Sequence, residues 1–412
     1  MSLAGTFQPS ERLPVPAAGR EDRIWTVNPD LGYSRSERLA GSGPYQSSIP
    51  ATIADYSPTL NAELVADIED AARALAGFDR HSSATLGADS PTLGPMSMIL
   101  LRTESASSSQ IEHLTVGARQ LALAELDQSQ SSNARTVLAN VHAMEAALEL
   151  ADHLDERSIL ATHDVLLRGQ PGWDQHAGRY RDQLVWIGTS RSSPRNAAHV
   201  GPQHELVPAA IRDLARFMAR EDLPILLQAA IAHAQFELIH PFVDGNGRTG
   251  RALVHAILRG KRLLTSTTAP VSAGLLTDTR AYFDALTAYR AGDARPIVES
   301  FTFAARFAAV TGARLVDDLA GELETSRLQL RGLRKQSAGW RVLPQLVAQP
   351  VINAKYLTQH FGMNESAAQR ALGQLTEAGV LQETTGFRRN RVWQHAGILR
   401  VLDGYAESLI RR

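Results

Sequence analysis

The chain has 412 residues, 44% apolar and 21% charged, which is ordinary for a globular protein and long enough for two or three domains. Its 42 basic and 43 acidic residues leave a net charge of −1, against a nucleic-acid binder that is basic overall, and the lack of cysteine excludes disulfides, thiol catalysis and Cys-ligated zinc. The charge is uneven: Arg331 to Arg412 holds 12 basic and 5 acidic residues, so this stretch carries +7 and the rest −8.

Residues 1–58 are rich in Pro, Ser, Gly and Thr without a strong period, which predicts an extended arm. The opening residues contain no apolar signal core and no stretch approaches a membrane span, so a cytoplasmic protein with no membrane partner is expected. Leu60, Leu64, Ile68, Ala72 and Leu75 recur at helical spacing and predict a helix over 59–78. Ser, Gly, Pro and Asp over 80–97 predict a linker, and a helical pattern resumes from about Met98 to Leu167. Leu184-Val185-Trp186-Ile187 reads as extended, and the Gly188-Thr-Ser-Arg-Ser-Ser-Pro run after it makes a β-hairpin or flap over about 184–200. Helices follow over 205–220 and 224–238 and, beyond a loop, to about 333. The fold class is mainly α, divided as 1–97, 98–335 and 336–412, with no solenoid repeats.

That loop, His240-Pro241-Phe242-Val243-Asp244-Gly245-Asn246-Gly247-Arg248-Thr249-Gly250-Arg251, carries most of the chemistry. Pro241 ends the helix before it, because the residue preceding a proline is pushed out of the α region. Gly245 and Gly247 let backbone amides approach phosphate oxygens where the next helix begins, and that helix end adds partial positive charge. Arg248 and Arg251 are neighbours on one helix face, and guanidinium forks suit phosphates. Asp244 offers a hard oxygen for Mg²⁺, and His240 can accept a hydroxyl proton near neutral pH. Asn246 caps the second helix or steadies the loop. Taken singly, each residue has a bland reading as turn, solvated face or structural histidine; the conjunction is what points to a site.

The loop matches HPFx[D/E]GNGRxxR at every defining position, and on it the chain resembles the Fic family. The resemblance implies a helical core with a flap and transfer of AMP from ATP to a Ser, Thr or Tyr hydroxyl of a target protein, with Mg²⁺. It implies His240 as general base, Phe242 as the loop's anchor, Asp244 as metal ligand, Gly245, Asn246 and Gly247 around the α- and β-phosphates, Arg248 on the β-phosphate and Arg251 on the γ-phosphate. A phosphate-transferring branch carries Lys where Gly247 stands here, which disfavours that chemistry. The flap, with Val185, Trp186, Ile187 and Gly188, would pair with the target as an added strand. Gly178-Arg179-Tyr180-Arg181 resembles the family's lead-in to it.

Many members carry an inhibitory helix with [S/T]xxxE[G/N]. Ser108 and Glu112 fit that pattern within a helix expected over about 105–120, with His113 in place of Gly or Asn. Glu112 would pair with Arg251 and deny it to the γ-phosphate; an exposed helical carboxylate is the plain alternative. After Gly339, three helical segments and a two-stranded wing resemble a winged helix-turn-helix, often appended to such domains. Its Gln369, Arg370 and Gln374 are a modest set for reading bases, and Arg388, Arg389 and Arg391 suit phosphates. DNA is thus one partner to consider, beside a homodimer, self-modification or protein binding. Three functions fit these residues: an adenylyltransferase braked by Glu112, a hydrolase removing AMP at the same site, and a DNA-binding regulator with a nucleotide-sensing core.

Overall fold

The computed structural model describes residues 12–86, 90–188, 190, 192–384 and 391–410. An antiparallel hairpin, β1 (Gly19–Trp25) and β2 (Gly43–Ile49), holds the short α1 (Arg35–Gly41) in its loop, with Gly19 opposite Ile49 and Trp25 opposite Gly43. Then come α2 (Ala62–Leu86), α3 (Leu93–Ile111), α4 (Ala118–Glu125), α5 (Ser132–Glu149) and α6 (Glu156–Leu167). A second hairpin, β3 (Trp186–Ile187) and β4 (His199–Val200), precedes α7 (Val207–Met218), α8 (Ile225–Ile239) and α9 (Asn246–Gly260). The helical core ends with α10 (Val271–Leu276), α11 (Thr279–Arg290) and the 35-residue α12 (Arg295–Gln329).

The centre is α8. Its sequence, ILLQAAIAHAQFELI, is apolar on nearly every face, and every residue from Leu226 to Ile239 is buried, as a helix hydrophobic all round must be. α9 packs against it on the far side of the 240–245 loop, and α12 lies against both α8 and α2. The mainly helical architecture expected from the sequence is therefore what the chain adopts. Two boundaries differ. The arm contains the β1–β2 ladder, whose strands GREDRIW and GPYQSSI lack the apolar alternation that marks a half-buried strand. The expected linker over 80–97 is largely helix: α2 runs on to Leu86, with Ser82 and Ser83 hydroxyls donating back to Phe78 and Asp79 carbonyls, and α3 begins at Leu93.

The C-terminal module contains α13 (Ala338–Val342), β5 (Val351–Ile352), α14 (Ala354–Phe361), α15 (Glu365–Glu377), β6 (Gln382–Glu383), β7 (Trp393–Gln394) and α16 (Ala396–Ile410). Asn353 and Asn364 cap α14 and α15, and Gly362 and Gly379 take the left-handed conformation that ends each helix. The sheet has three strands in the order β5-β7-β6 rather than two, and α16 was not anticipated. The wing tip with Arg388 and Arg389 lies outside the described residues. Gln374 is not free to read a base, since its Oε1 accepts the Gly339 N–H at 3.0 Å. Arg391 is paired with Glu383 and stacked over Trp393. Gln369 and Arg370 remain exposed.

This module is fastened to α3. The buried Arg102 donates to the Ala348 carbonyl (2.7 Å), Gln349 Oε1 (2.6 Å) and Glu125 Oε2 (3.0 Å). Gln349 in turn donates to the Ala122 and Val351 carbonyls, and Asp403 of α16 accepts the Ala118 N–H at the start of α4. Arg102→Ala would leave a buried amide oxygen, a carbonyl and a carboxylate unpartnered, at a cost of about 3–5 kcal/mol. Urea unfolding is expected to show this as a lower midpoint with unchanged slope, and Arg102→Met should lose less. A loss below about 1 kcal/mol for the alanine variant would class the contact with exposed ion pairs.

Candidate functional site

His240 caps the C-terminus of α8 in a left-handed conformation, φ 48°, with its N–H on the Phe236 carbonyl at 2.9 Å. Non-glycine residues take that conformation at a cost, so Pro241 and the packing of Phe242 must hold it there. Phe242 is fully buried and stacks flat on the His163 ring at 3.6 Å, with Tyr180 and Phe236 nearby. The Gly178 N–H donates to His163 Nδ1 (3.2 Å), so the proton sits on Nε2, which donates to the Asp244 carbonyl (3.1 Å). Burial is the main reason this imidazole is pulled down to about 4. His163 thus fixes the loop at Phe242 and Asp244. It sits on the apolar face of α6 beside Ile159 and Leu166, where sequence reading sees only core.

Gly245 is the N-cap of α9 at φ 77°, and a Cβ there would meet Leu166 at 2.7 Å. Asn246 does not cap the helix. Its side chain accepts the Phe242 N–H and donates to the Phe242 carbonyl, both at 2.9 Å, and so closes the loop. Among the described residues no side chain caps α9, which leaves the first-turn amides of Asn246, Gly247 and Arg248 to an anion.

Arg181, from the lead-in stretch, is only 3% exposed and meets no carboxylate among the described residues; burial pulls it down to about 10. It spends its guanidinium on the carbonyls of His240 (2.8 Å), Gln183 (2.8 Å) and Pro202 (2.7 Å). The base of the flap and the His240 backbone are therefore set by one side chain. The flap itself pairs Trp186 with Val200 and Ile187 with His199; the Gly201 N–H reaches the Val185 carbonyl, and a Cβ on Gly188 would crowd Ala197. Among the described residues the far edge of β3 pairs with no strand. The N-terminal hairpin props this flap: Trp25 stacks edge-on against Trp186 at 5.3 Å and donates to the Ser192 carbonyl.

Glu237 was not singled out in the sequence, although it stands one turn before His240 on the same helix face. It is buried, with its carboxylate 3.6 Å from His240 Nδ1. That is ion-pair range but longer than a hydrogen bond. Burial pushes Glu237 up, but His240, His233 and Arg251 outweigh it and hold the carboxyl down to about 2. A negative charge on the Nδ1 side of an imidazole favours a proton there and a lone pair on Nε2.

Ser108, Glu112, Asp244, Arg248 and Arg251 come together around the start of α9. Arg251 donates from Nε to Ser108 Oγ (2.7 Å), and from Nη2 to the Ser108 carbonyl (3.0 Å) and to Glu112 Oε1 (2.6 Å). Arg248 donates to Glu112 Oε2 (3.1 Å) and to Asp244 Oδ2 (2.8 Å). The sequence pairs Glu112 with Arg251; in the structure its carboxylate holds both arginines. Gly247 makes this possible, since a Cβ there would lie 2.3 Å from Glu112 Oε1. Asp244 keeps 41% of its side chain exposed at the loop's apex. One accessible carboxylate beside an uncapped helix start fits Mg²⁺, which takes one or two carboxylates and fills its shell with water and phosphate oxygens.

The helix expected over 105–120 is two helices. α3 ends at Ile111, Glu112 is its C-cap, and His113 turns the chain at φ 64° before α4 starts at Ala118. That left-handed turn is what Gly or Asn at this position would favour. α3 is held from three further sides. Glu104, fully buried, binds His255 of α9 at 2.7 Å and the Ser272 N–H of α10 at 2.9 Å. Asn140 of α5 donates to the Ser105 carbonyl and Ser109 Oγ.

Residues 153–258 match the Fic/DOC family model and residues 65–149 the model of the Fic/DOC family N-terminal region. The chain belongs to the Fic/DOC family. A Fic family protein from Desulfovibrio desulfuricans shares the fold, with a TM-score of 0.50 at 24% identity over 82% of this chain and 97% of that one. The Caenorhabditis elegans protein adenylyltransferase fic-1 is 36% identical over 126 residues, 30% of this chain and 22% of that protein. A probable protein adenylyltransferase of Aquifex aeolicus is 35% identical over 94 residues, 23% of this chain and 27% of the relative. The chain thus spans about a quarter of the length of the curated relatives it matches.

Three site histidines, His163, His199 and His233, are pulled by burial down to about 4, 3 and 4. Each folded value lies below the unfolded one near 6.5, so unfolding takes up protons between the two. Their contribution to stability is complete above about pH 6.5 and is lost as pH falls toward 4. The expected slope approaches 4 kcal/mol per pH unit in that window, about 1.4 for each group. Urea midpoints measured from pH 7.5 to 5 check it; a flat profile would mean that the folded protein holds these rings protonated.

Proposed function

We propose that the chain is a protein adenylyltransferase, moving AMP from ATP onto a hydroxyl side chain of a protein and braked by its own Glu112. The observation that carries this reading is the constellation of His240, the uncapped start of α9 and the Arg248–Arg251 pair, with one carboxylate bridging both arginines. The names of the matched relatives support the same reaction class. The target hydroxyl oxygen attacks the α-phosphorus, the bond to the β-phosphate oxygen breaks, and pyrophosphate leaves. His240 takes the hydroxyl proton, with Glu237 orienting its ring. The α9 amides and the two arginines receive phosphate oxygens, which is mostly positioning and charge stabilisation. Asp244 holds Mg²⁺, which when bound neutralises phosphate charge.

In the braked arrangement Glu112 occupies donors that the β- and γ-phosphates need. Arg251 is spent on Ser108 and Glu112, and Arg248 on Glu112 and Asp244. ATP can then bind only with its terminal phosphates displaced. Removal of AMP at the same site is the second reading, favoured by a partly exposed carboxylate, Glu112 at 30%, lying where it can steer a water.

The test compares wild type, Glu112→Gly and His240→Ala with Mg²⁺ and α- or γ-labelled ATP, with and without cell lysate. Protein label from the α-phosphate alone, at least tenfold higher in Glu112→Gly and lost in His240→Ala, is expected. Label from the γ-phosphate, or none in any variant while AMP is released from a modified protein in a Glu112-dependent manner, would replace the reading. Glu237→Gln in the Glu112→Gly background is expected to lower kcat by about 100-fold or more, as loss of a carboxylate that orients a catalytic imidazole does elsewhere, with nucleotide affinity by calorimetry unchanged. Weakened nucleotide binding with kcat preserved would remove Glu237 from this role. The proposed γ-phosphate role of Arg251 predicts that Arg251→Ala raises the KM for ATP even without Glu112, and unchanged turnover in that double variant would end it.

A further inference from the structure

The N-terminal hairpin does more than lengthen the chain. Between it, the flap and α11 lies a groove of about 430 Å³, within the size range of ligand pockets. Arg20, Tyr45 and Gln46 line it from the hairpin, Arg195 and His199 from the flap, and Arg290 from α11. Among the described residues the lining thus holds three arginines from three elements and no Asp or Glu. Among the described residues none of the three makes an ion pair. Arg195 Nη1 donates to the Ala40 and Ser42 carbonyls (both 2.8 Å), Arg290 Nη1 to the Ala198 carbonyl (3.3 Å) and Arg20 Nη1 to Gln46 Oε1 (3.2 Å). Neutral acceptors hold the guanidinium groups of Arg20 and Arg195 in place without cancelling their charge, while Arg290, pulled down by burial, also feels the buried Glu237 carboxylate. The carboxylate nearest in this network, Asp22 on β1, accepts from the other end of Gln46 and is not part of the lining.

One ring separates the groove from the base. His199 lies in its wall, and the His199 ring meets the His240 ring edge-on at 6.3 Å. A chain segment lying in the groove therefore runs beside β4, with the His199 ring between it and His240. We infer that this groove docks an acidic segment of the protein substrate, with Asp or Glu side chains of the target on Arg20, Arg195 and Arg290 while its hydroxyl reaches His240. Guanidinium forks facing a walled cleft suit carboxylates, and clustered charge of one sign steers such a segment in. The inference rests on the transfer reading for the use made of the bound segment, and not for its binding.

The experiment is fluorescence anisotropy with the full chain and fluorescein-labelled ten-residue peptides carrying one Thr flanked by Glu, by Gln or by Lys, and a duplex oligonucleotide as a second polyanion. Arg195 is left intact because it ties the arm to the flap. The Glu peptide is expected to bind at least tenfold tighter than the Gln peptide at low salt, with the advantage shrinking as salt rises. Arg20→Glu, at an exposed strand position, should abolish the preference, and Arg20→Lys should keep most of it. Equal binding of the Glu and Gln peptides, or a preference untouched by Arg20→Glu, overturns the inference. So does tighter Arg20-dependent binding of the oligonucleotide, which would give the groove to nucleic acid. Adding α-labelled ATP to the Glu112→Gly variant separates the two readings. Peptide binding without label leaves the groove and sinks the transfer; label with no acidic preference does the reverse.

Discussion

Everything near the loop depends on where the C-terminus of α3 sits. Glu112 is not on the loop, nor on either helix that flanks it, yet its two oxygens fix the two arginines of α9. A carboxylate holds that place only if the helix behind it is positioned to within a fraction of an ångström, because charge-assisted hydrogen bonds weaken quickly with distance and angle. The seat is built from buried polar groups rather than apolar packing alone: Glu104 to α9 and α10, Asn140 from α5, and Arg102 to the C-terminal module. Apolar packing tolerates small slides. Buried polar networks do not, since each displaced partner leaves an unpaired group.

The same logic explains the backbone. Left-handed residues stand at both ends of the pairing: His113 just after Glu112, His240 and Gly245 around the loop. Glycine takes that conformation freely, whereas the two histidines need their surroundings to enforce it. For His240 the enforcement is visible in Pro241, the buried Phe242, the Asn246 side chain and the Arg181 clamp on its carbonyl. His113 is exposed, so its enforcement comes from the backbone turn that closes α3.

The loop was legible from sequence because its chemistry is local: a base, a carboxylate, two glycines and two arginines stand within twelve residues, and helical periods on either side give its setting. Ser108 and Glu112 were legible only as a pattern; that Glu112 would meet Arg248 as well as Arg251 follows from a tertiary approach that Gly247 alone permits. Glu237 and His163 were missed, and Arg181 was read only as part of the lead-in stretch, for one physical reason. Each acquires its role from a partner that folding brings to it: His240 by a helical turn, the Asp244 carbonyl from the 240–245 loop, the flap and His240 carbonyls from across a loop. The β1–β2 hairpin escaped because a ribbon with polar residues on both faces leaves no alternation to read.

The energetics of the α3 seat bear on how the proposed brake could release. Glu104 is fully buried while Glu112 keeps 30% of its side chain exposed, although both lie on the same helix eight residues apart. Moving α3 as a body would break the Glu104, Asn140 and Arg102 contacts together, at several kcal/mol for each buried charge left unpaired. Swinging only Glu112 costs two charge-assisted hydrogen bonds, about 1.5–3 kcal/mol each, and returns a partly exposed carboxylate to water. It also restores both arginines to a phosphate, which pairs with them at least as well. The cheap motion is thus a change at the C-cap itself, a rotamer or the last turn before His113, with the rest of α3 and the docked C-terminal module staying in place.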